Sequence, residues 1–284
     1  MTNYLQLLGE IMTYGDERQT RNAVTRALFA KQLTWDLRDG FPVITTKEIK
    51  IRSIVGELLW FLSGSTNDND LRDFSGFPPD KKTIWTANAE DFAKRRLAKY
   101  PGDLGRIYGE QWRYWRGLSA AGEVLKVVSI DQIADVIHRV KNDPYDRRLI
   151  VSAWNPADLP EMALPACHVM FQLFCESDNT ISLSMVQRSC DTFLGVPYNI
   201  TSYALLLSII AMEVGRFPKK LSILFQDVHI YQEHFEAVEE QLKRMPYALP
   251  TLKINKKPMN ELTVDDFTLE NYNCHPPIKA TMIV

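Results

Sequence analysis

Apolar residues recur along the chain with two different periods, and the changes between them mark the elements. Tyr4, Leu7, Leu8, Ile11 and Met12 fall on one face of a 3.6-residue repeat, which predicts an amphipathic N-terminal helix ended by Gly15. Leu33, Trp35 and Leu37 then alternate with polar residues before Gly40, and this period of two predicts a strand. The apolar run around Glu57 and Trp60 reads as a second helix. Residues 63–103 are the least regular, with Gly, Pro, Asn and Asp scattered from Ser63 to Asp80 and a charged stretch from Lys94 to Lys99. That pattern is expected of a solvated surface excursion.

Farther on, Ile133, Val136, Ile137 and Val140 predict a helix entered through Ser129 or Asp131 and ended by Asn142-Asp143-Pro144. Strands then dominate. Leu149-Ile150-Val151, the set Val169, Phe171, Leu173 and Cys175, and the set Ile181, Leu183 and Met185 are separated by a turn-rich Glu176 to Thr180. The last two predict a hairpin beside a third strand. Tyr203 to Val214 is apolar on nearly all sides, as a buried helix crossing the sheet would be. The expectation is an α+β fold, one domain over residues 1–284, with a large bent mixed β-sheet flanked by helices.

Composition narrows the function classes. The 284 residues are long enough for a sizeable core, and 45% hydrophobic with 24% charged is ordinary for a globular protein. With 33 basic and 35 acidic residues the net charge is −2, so no overall field would attract nucleic acid, and any anion site must be local. Cys167, Cys175, Cys190 and Cys274 show no paired spacing and no CxxC, which argues against a disulfide framework or zinc knuckle; no metal is expected. The N-terminus lacks a basic stretch followed by an apolar run. The most apolar segment, Ala204 to Met212, is half of the roughly 18 residues that span a bilayer. A cytoplasmic protein with no membrane partner is expected, in host cytoplasm if the source is viral.

Chemistry concentrates in two segments about twenty residues apart, Leu164-Pro165-Ala166-Cys167-His168 and Gln187-Arg188-Ser189-Cys190-Asp191. Together they set a thiol beside anion-binding and hydrogen-bonding groups. Arg188 is expected to lower the Cys167 pKa and raise its thiolate fraction. His168 follows directly, but consecutive strand residues face opposite sides, so it is expected to order a hydrogen-bond network rather than act as a base for Cys167.

With these segments, Asp146 to Pro156, Thr192 to Ile200, Asp227-Val228-His229-Ile230-Tyr231, Glu57 to Leu62, Tyr108 to Arg113 and the tail Tyr272 to Val284 stand in an order that closely resembles the thymidylate synthase family over nearly the whole chain. The resemblance implies transfer of a one-carbon unit from 5,10-methylenetetrahydrofolate to carbon 5 of dUMP. It implies an obligate homodimer with sheets packed back to back. Cys167 would add to carbon 6 of uracil, and Glu57 would work through water on the ring oxygen. A carboxylate in an apolar helix is itself a functional hint. Asn199 would serve O4 and N3–H of the pyrimidine, where cytosine-using relatives carry aspartate. Tyr108 would help remove the carbon 5 proton through a water relay.

The same resemblance assigns phosphate to Arg21, Arg188, Arg147 and Arg148, the last two reaching into the neighbouring subunit, with Ser189 adding a hydroxyl. His229 and Tyr231 would hold the sugar 3′-hydroxyl. Asp191 would hold the folate pterin ring, Ile84 and Trp85 would wall it, Gly195 would line it, and Ile278 to Val284 would close over the ligands.

Several positions depart from the family pattern. The loop after Arg21 is shortened to Asn22-Ala23-Val24-Thr25, which leaves Arg21 and Arg26 as rival phosphate ligands. Glu48 stands where a basic residue is common, Arg106 and Ala166 replace prolines, and Gln226 and Glu233 replace glycine and asparagine. Arg106 near Tyr108, or Ala166 beside the nucleophile, is expected to be able to admit water. Water capture of the methylene intermediate would yield 5-hydroxymethyl-dUMP, as in virus-type relatives, so a hydroxymethylase is the alternative to methylation. A non-catalytic homologue that binds nucleic acid or a partner is remote, because Cys167, Glu57, Asn199 and Tyr108 are all retained. A cysteine hydrolase is disfavoured by the lack of an orienting Asn or Asp for a histidine at this cysteine.

Overall fold

The computed structural model describes residues 1–121 and 124–283, so the expected role of Val284 lies outside the described residues. Helix α1 (Thr2–Tyr14) buries Tyr4, Leu7, Leu8 and Ile11, and Gly15 closes it in an extended rather than left-handed conformation. Strands β1 (Asp16–Gln19) and β2 (Val24–Asp36) follow, with Leu37 already in a helical turn beyond the strand. Helix α2 (Ile51–Ser63) carries Glu57 and Trp60.

The segment expected to be a surface excursion is instead structured. It forms α3 (Asp68–Ser75) and α4 (Thr86–Lys94), and Leu71, Trp85, Ala89 and Phe92 enter the core. Its polar residues divide: the charged stretch is solvated as expected, with Lys94, Arg95, Arg96 and Lys99 exposed, while Asp68 and Ser75 are buried. The buried carboxylate of Asp68 accepts from Arg72 Nη2 at 2.8 Å, from Thr86 Oγ1 at 2.9 Å and from Thr83 Oγ1. Gly56 lets α2 approach α3, since a Cβ there would lie 2.7 Å from the Ser75 Cα. Short helices with half their positions polar escape a periodicity argument.

Helix α5 (Tyr108–Arg113) leads into a separate hairpin, β3 (Trp115–Ala121) and β4 (Val124–Ile130). Helix α6 (Gln132–Asn142) is capped by the Asp131 side chain, which accepts from Ala134 N–H at 2.9 Å, settling the choice against Ser129. Then come β5 (Ile150–Ser152), β6 (His168–Cys175), β7 (Thr180–Asp191), α7 (Gly195–Val214) and β8 (Phe217–Tyr231). Helix α8 (Phe235–Leu242) and the hairpin of β9 (Thr251–Ile254) with β10 (Phe267–Glu270) complete the described elements.

The main sheet has the order β1-β2-β8-β7-β6-β5. All neighbours are antiparallel except β7 and β8, which run parallel because α7 crosses between them. At 20 residues α7 is long and apolar enough to cross a membrane, more than twice the apolar run apparent in the sequence, but its buried place against β7 and β8 makes it a core helix. Helices α1 and α7 cover one sheet face, while Phe29, Ile150 and Phe174 are exposed on the other.

A line of irregularities bends the sheet. Buried positions in β7 run Leu183, Met185, Gln187 and then switch phase to Cys190; those in β8 run Leu221, Ile223, Phe225 and then Val228, Ile230. In the same row Ala30 of β2 has φ of 56°, and the β6 register shifts between His168 and Met170. Such bulges twist strands and re-aim side chains. Arg188, Ser189, Asp191, Asp227, His229 and Tyr231 all lie at or beyond the switch. Gln226 sits in this row without a positive φ, so a side chain fits where the family pattern has glycine.

Candidate active site

Cys167 lies in the bend just before β6, not within the strand, and His168 is the first strand residue. The bend is tied on both sides. Tyr108 Oη accepts from the backbone N–H of Cys167 at 2.6 Å and of His168 at 3.4 Å. Arg188 donates Nε to Ala166 O at 2.9 Å and Nη2 to Pro165 O at 2.8 Å, and its Nη2 lies 3.9 Å from Cys167 Sγ. Ala166 thus serves through its carbonyl and is itself buried.

The expected lowering of the thiol pKa is overturned. Burial pushes the Cys167 thiol up, and the Arg188 charge and the Tyr108 contact only partly offset it. Burial acts on the neighbours in the same way. It raises the Glu57 carboxyl to about 7, against a Trp85 Nε1 to Glu57 Oε1 bond of 2.7 Å. It lowers His168 to about 4 against a smaller opposing effect of Asn199, so this imidazole is neutral and a poor base. Burial and the nearby Cys167 charge hold Tyr108 well above the ordinary phenol range.

Asn199, on the first turns of α7, accepts from Gln187 Nε2 at 2.9 Å, which fixes its amide so that its Nδ2–H₂ remains a donor. Asp191 Oδ1 accepts from the N–H groups of Phe193 and Leu194 at 3.1 and 3.0 Å, turning the chain into α7 at Gly195. Beneath this turn Lys47 Nζ donates to Phe193 O at 2.6 Å and lies 3.6 Å above the Phe193 ring; burial lowers its pKa to about 7. Trp85 is buried, whereas neighbouring Ile84 is 57% exposed and offers an apolar surface beside it. The described tail packs back on the molecule: Tyr272 Oη donates to Ile44 O at 2.9 Å, and His234 bonds Thr281 O at 2.8 Å.

Next to this cluster opens a cavity of about 350 Å³, lined by Arg18, Arg21, Thr25, Ser189, His229 and Tyr231 among others. Arg21 is exposed at its rim. Arg26 is not there: its Nη1 donates to Met12 O at 3.0 Å and its guanidinium lies 4.6 Å from the Phe235 ring, beneath the sheet. Arg18, Thr25 and Asp227 were not legible as site residues. Arg18 reaches the cavity through the β1–β2 pairing, which no pattern in its four residues predicts.

Arg147 and Arg148 occupy an exposed turn before β5. Gln172 Nε2 donates to Arg147 O, and Gln172 lies five residues beyond Cys167, roughly 16 Å along β6. Arg106 does not bring water to Tyr108. It is buried and points away, donating to Asp158 Oδ2 at 2.8 Å, to Tyr114 O at 2.9 Å and to Glu110. Glu48 and Glu233 are exposed.

A thiol at the start of β6, a neutral-prone carboxyl on α2, a fixed amide on α7 and a neighbouring anion cavity suit covalent activation of an anionic pyrimidine. The thymidylate synthase family model matches residues 2–284. The chain belongs to the thymidylate synthase family. A probable thymidylate synthase of Escherichia phage T5 is 44% identical over 290 residues, with 99% of each chain covered. Thymidylate synthases transfer the one-carbon unit of methylenetetrahydrofolate to dUMP as a methyl group, and the family and the phage relative favour this product over a hydroxymethyl group. Among the described residues no group of three or more His, Cys, Asp or Glu could hold a metal ion.

Proposed function

We propose that the chain performs reductive methylation of dUMP with Cys167 as nucleophile, and that the observation carrying this assignment is the convergence of Cys167, Arg188, Tyr108, His168 and Asn199 at the start of β6. The Cys167 thiol, kept protonated by burial, passes its proton to water, Arg188 stabilises the transient thiolate, and the sulfur bonds carbon 6 as the ring π electrons move toward the carbonyl oxygen. Glu57, titrating near neutral pH, holds a proton for the ring oxygen through water. Asn199, braced by Gln187, reads the uracil edge. Tyr108, which stays a phenol, orients the water that takes the carbon 5 proton. Methylenetetrahydrofolate supplies the one-carbon unit and the hydride when bound as co-substrate. Ile84 and Trp85, the Asp191 turn, Gly195 and the tail form its wall, which suits a flat ring with polar edges.

Phosphate binds at the cavity rim through Arg21 and Ser189, with the Arg188 guanidinium between that rim and Cys167 as a further ligand, and the sugar lies against His229 and Tyr231; Arg21 rather than Arg26 fits, since Arg26 is engaged with α1. Incubation with 5-fluoro-dUMP and methylenetetrahydrofolate is expected to give a stable ternary adduct on Cys167 by mass spectrometry. Its absence from folded protein would sink the assignment.

The working unit is a homodimer that donates Arg147 and Arg148 across the interface. Support comes from the exposed Phe29, Ile150 and Phe174 on the sheet face not covered by α1 and α7, and from the distance of both arginines from Cys167 in their own chain. Mixing inactive Cys167→Ala and Arg147→Ala chains should restore activity through hybrid dimers with one complete site. No recovery after subunit exchange would refute sharing. The setting is cytoplasmic, in the host cell for a phage protein.

A further inference from the structure

We propose that Arg18 is a positioning residue that acts through Asp227 to hold His229 ready for the nucleotide 3′-hydroxyl. This rests on the assignment of the cavity to the nucleotide sugar and phosphate. The register shows how Arg18 reaches. Arg18 pairs with Thr25 across β1 and β2, and Thr25 pairs with Tyr231 across β2 and β8, so the three form one row. Residues two apart in a strand share a face, so Asp227 and His229 face the same side as Tyr231. Arg18 must span two strand spacings, roughly 10 Å. It runs over β2, where the side chain opposite His229 is only Ala27.

Its Nη2 bridges both Asp227 oxygens, at 3.0 and 2.9 Å, and Asp227 Oδ1 lies 2.9 Å from His229 Nδ1. A carboxylate only accepts, so His229 Nδ1 must carry the hydrogen. In the neutral ring Nε2 then presents a lone pair. A sugar hydroxyl can donate to it. Without Arg18 the Asp227 carboxylate, 40% exposed at its side chain, is free to turn to solvent and release the ring. Arg18 Nε is buried without a partner, so a direct bond from Arg18 to phosphate is the rival role.

Calorimetric titration of the intact protein with dUMP and with 2′,3′-dideoxyuridine monophosphate separates the two. The parent is expected to bind dUMP about tenfold more tightly, the worth of one hydrogen bond. Arg18→Met is expected to reduce that preference to about twofold or less, because the contact it serves is already lost. Equal weakening of both nucleotides would make Arg18 a phosphate or general pocket residue and overturn the proposal, as would an unchanged preference. Arg18→Lys keeps the charge without the planar fork. If the methionine variant melts well below the parent, it carries the same comparison, with an intermediate preference expected and an unchanged one overturning the proposal. A parent that binds dUMP but does not discriminate also overturns it, whereas a parent that binds neither nucleotide refutes the cavity assignment itself.

Discussion

Two polar clusters share the core of this protein, one around Arg106 and one around Cys167, and they differ in how completely their groups are paired. Arg106 uses all three guanidinium nitrogens on Asp158, Glu110 and Tyr114 O, while Asp158 also accepts from Gln111 Nε2 at 2.8 Å and Asn155 Nδ2 at 3.1 Å. Burial pushes the Asp158 carboxyl up, but Gln111 and Arg106 together pull it further down, so it stays ionised. The Cys167 cluster is the reverse. Desolvation prevails at Cys167, Glu57 and His168, and His168 Nδ1 and Gln187 Oε1 are buried without partners. Gln111 Oε1 is likewise buried without a partner, but the charged groups of the first cluster are paired, which repays their desolvation and braces α5. The second leaves capacity for a ligand, and among its groups Glu57, raised to about 7, is the one that exchanges a proton near neutral pH.

Removing Arg106 should produce the largest effect. Arg106→Ala leaves Asp158 buried without its main partner, a loss of about 3–5 kcal/mol in urea unfolding, as for other broken buried pairs. A loss below about 1 kcal/mol would mean that the cluster is not the structural one of the two.

Glu57→Gln should split activity from stability. Methyl transfer is expected to fall by about 10²–10⁴, the usual worth of a positioned acid or base. Glu57 is raised from its ordinary 4.5 to about 7, so the folded state retains a proton that the unfolded chain releases in that range. Its contribution to stability is therefore complete below pH 4.5 and is lost as pH rises through 7. The glutamine variant should melt higher than the parent at pH 8 and gain nothing at pH 4. An equal gain at both would show that Glu57 is not desolvated.

The smallest effect concerns His168. With its pKa lowered from 6.5 to about 4, the ring favours folding above pH 6.5, and that contribution is lost as pH falls through 4. Its imidazole resonances, followed by NMR, should titrate near pH 4. Titration near 6.5 would place the ring in water and remove the contrast with Asp158.

Much of this was readable without coordinates. Period-3.6 and period-2 patterns located α1, α6, part of β2, β6 and β7, because one-sided burial imposes periodicity on an element's own residues, and an apolar run located α2. The Cys167 and Arg188 segments, Glu57, Asn199 and the His229–Tyr231 pair stood out as residue types tied to a chemistry and to a family order. What escaped depends on partners distant in sequence. The helices α3 and α4 hold through Asp68 and Trp85, the Arg106 side chain turns away from Tyr108 because Asp158 and Glu110 receive it, and Arg18 reaches the cavity only across β2. Even the sign of the Cys167 shift followed this division: the residue order supplied the nearby Arg188 charge, but only the packed structure determined how much water the thiol loses, and at this site desolvation is the larger effect.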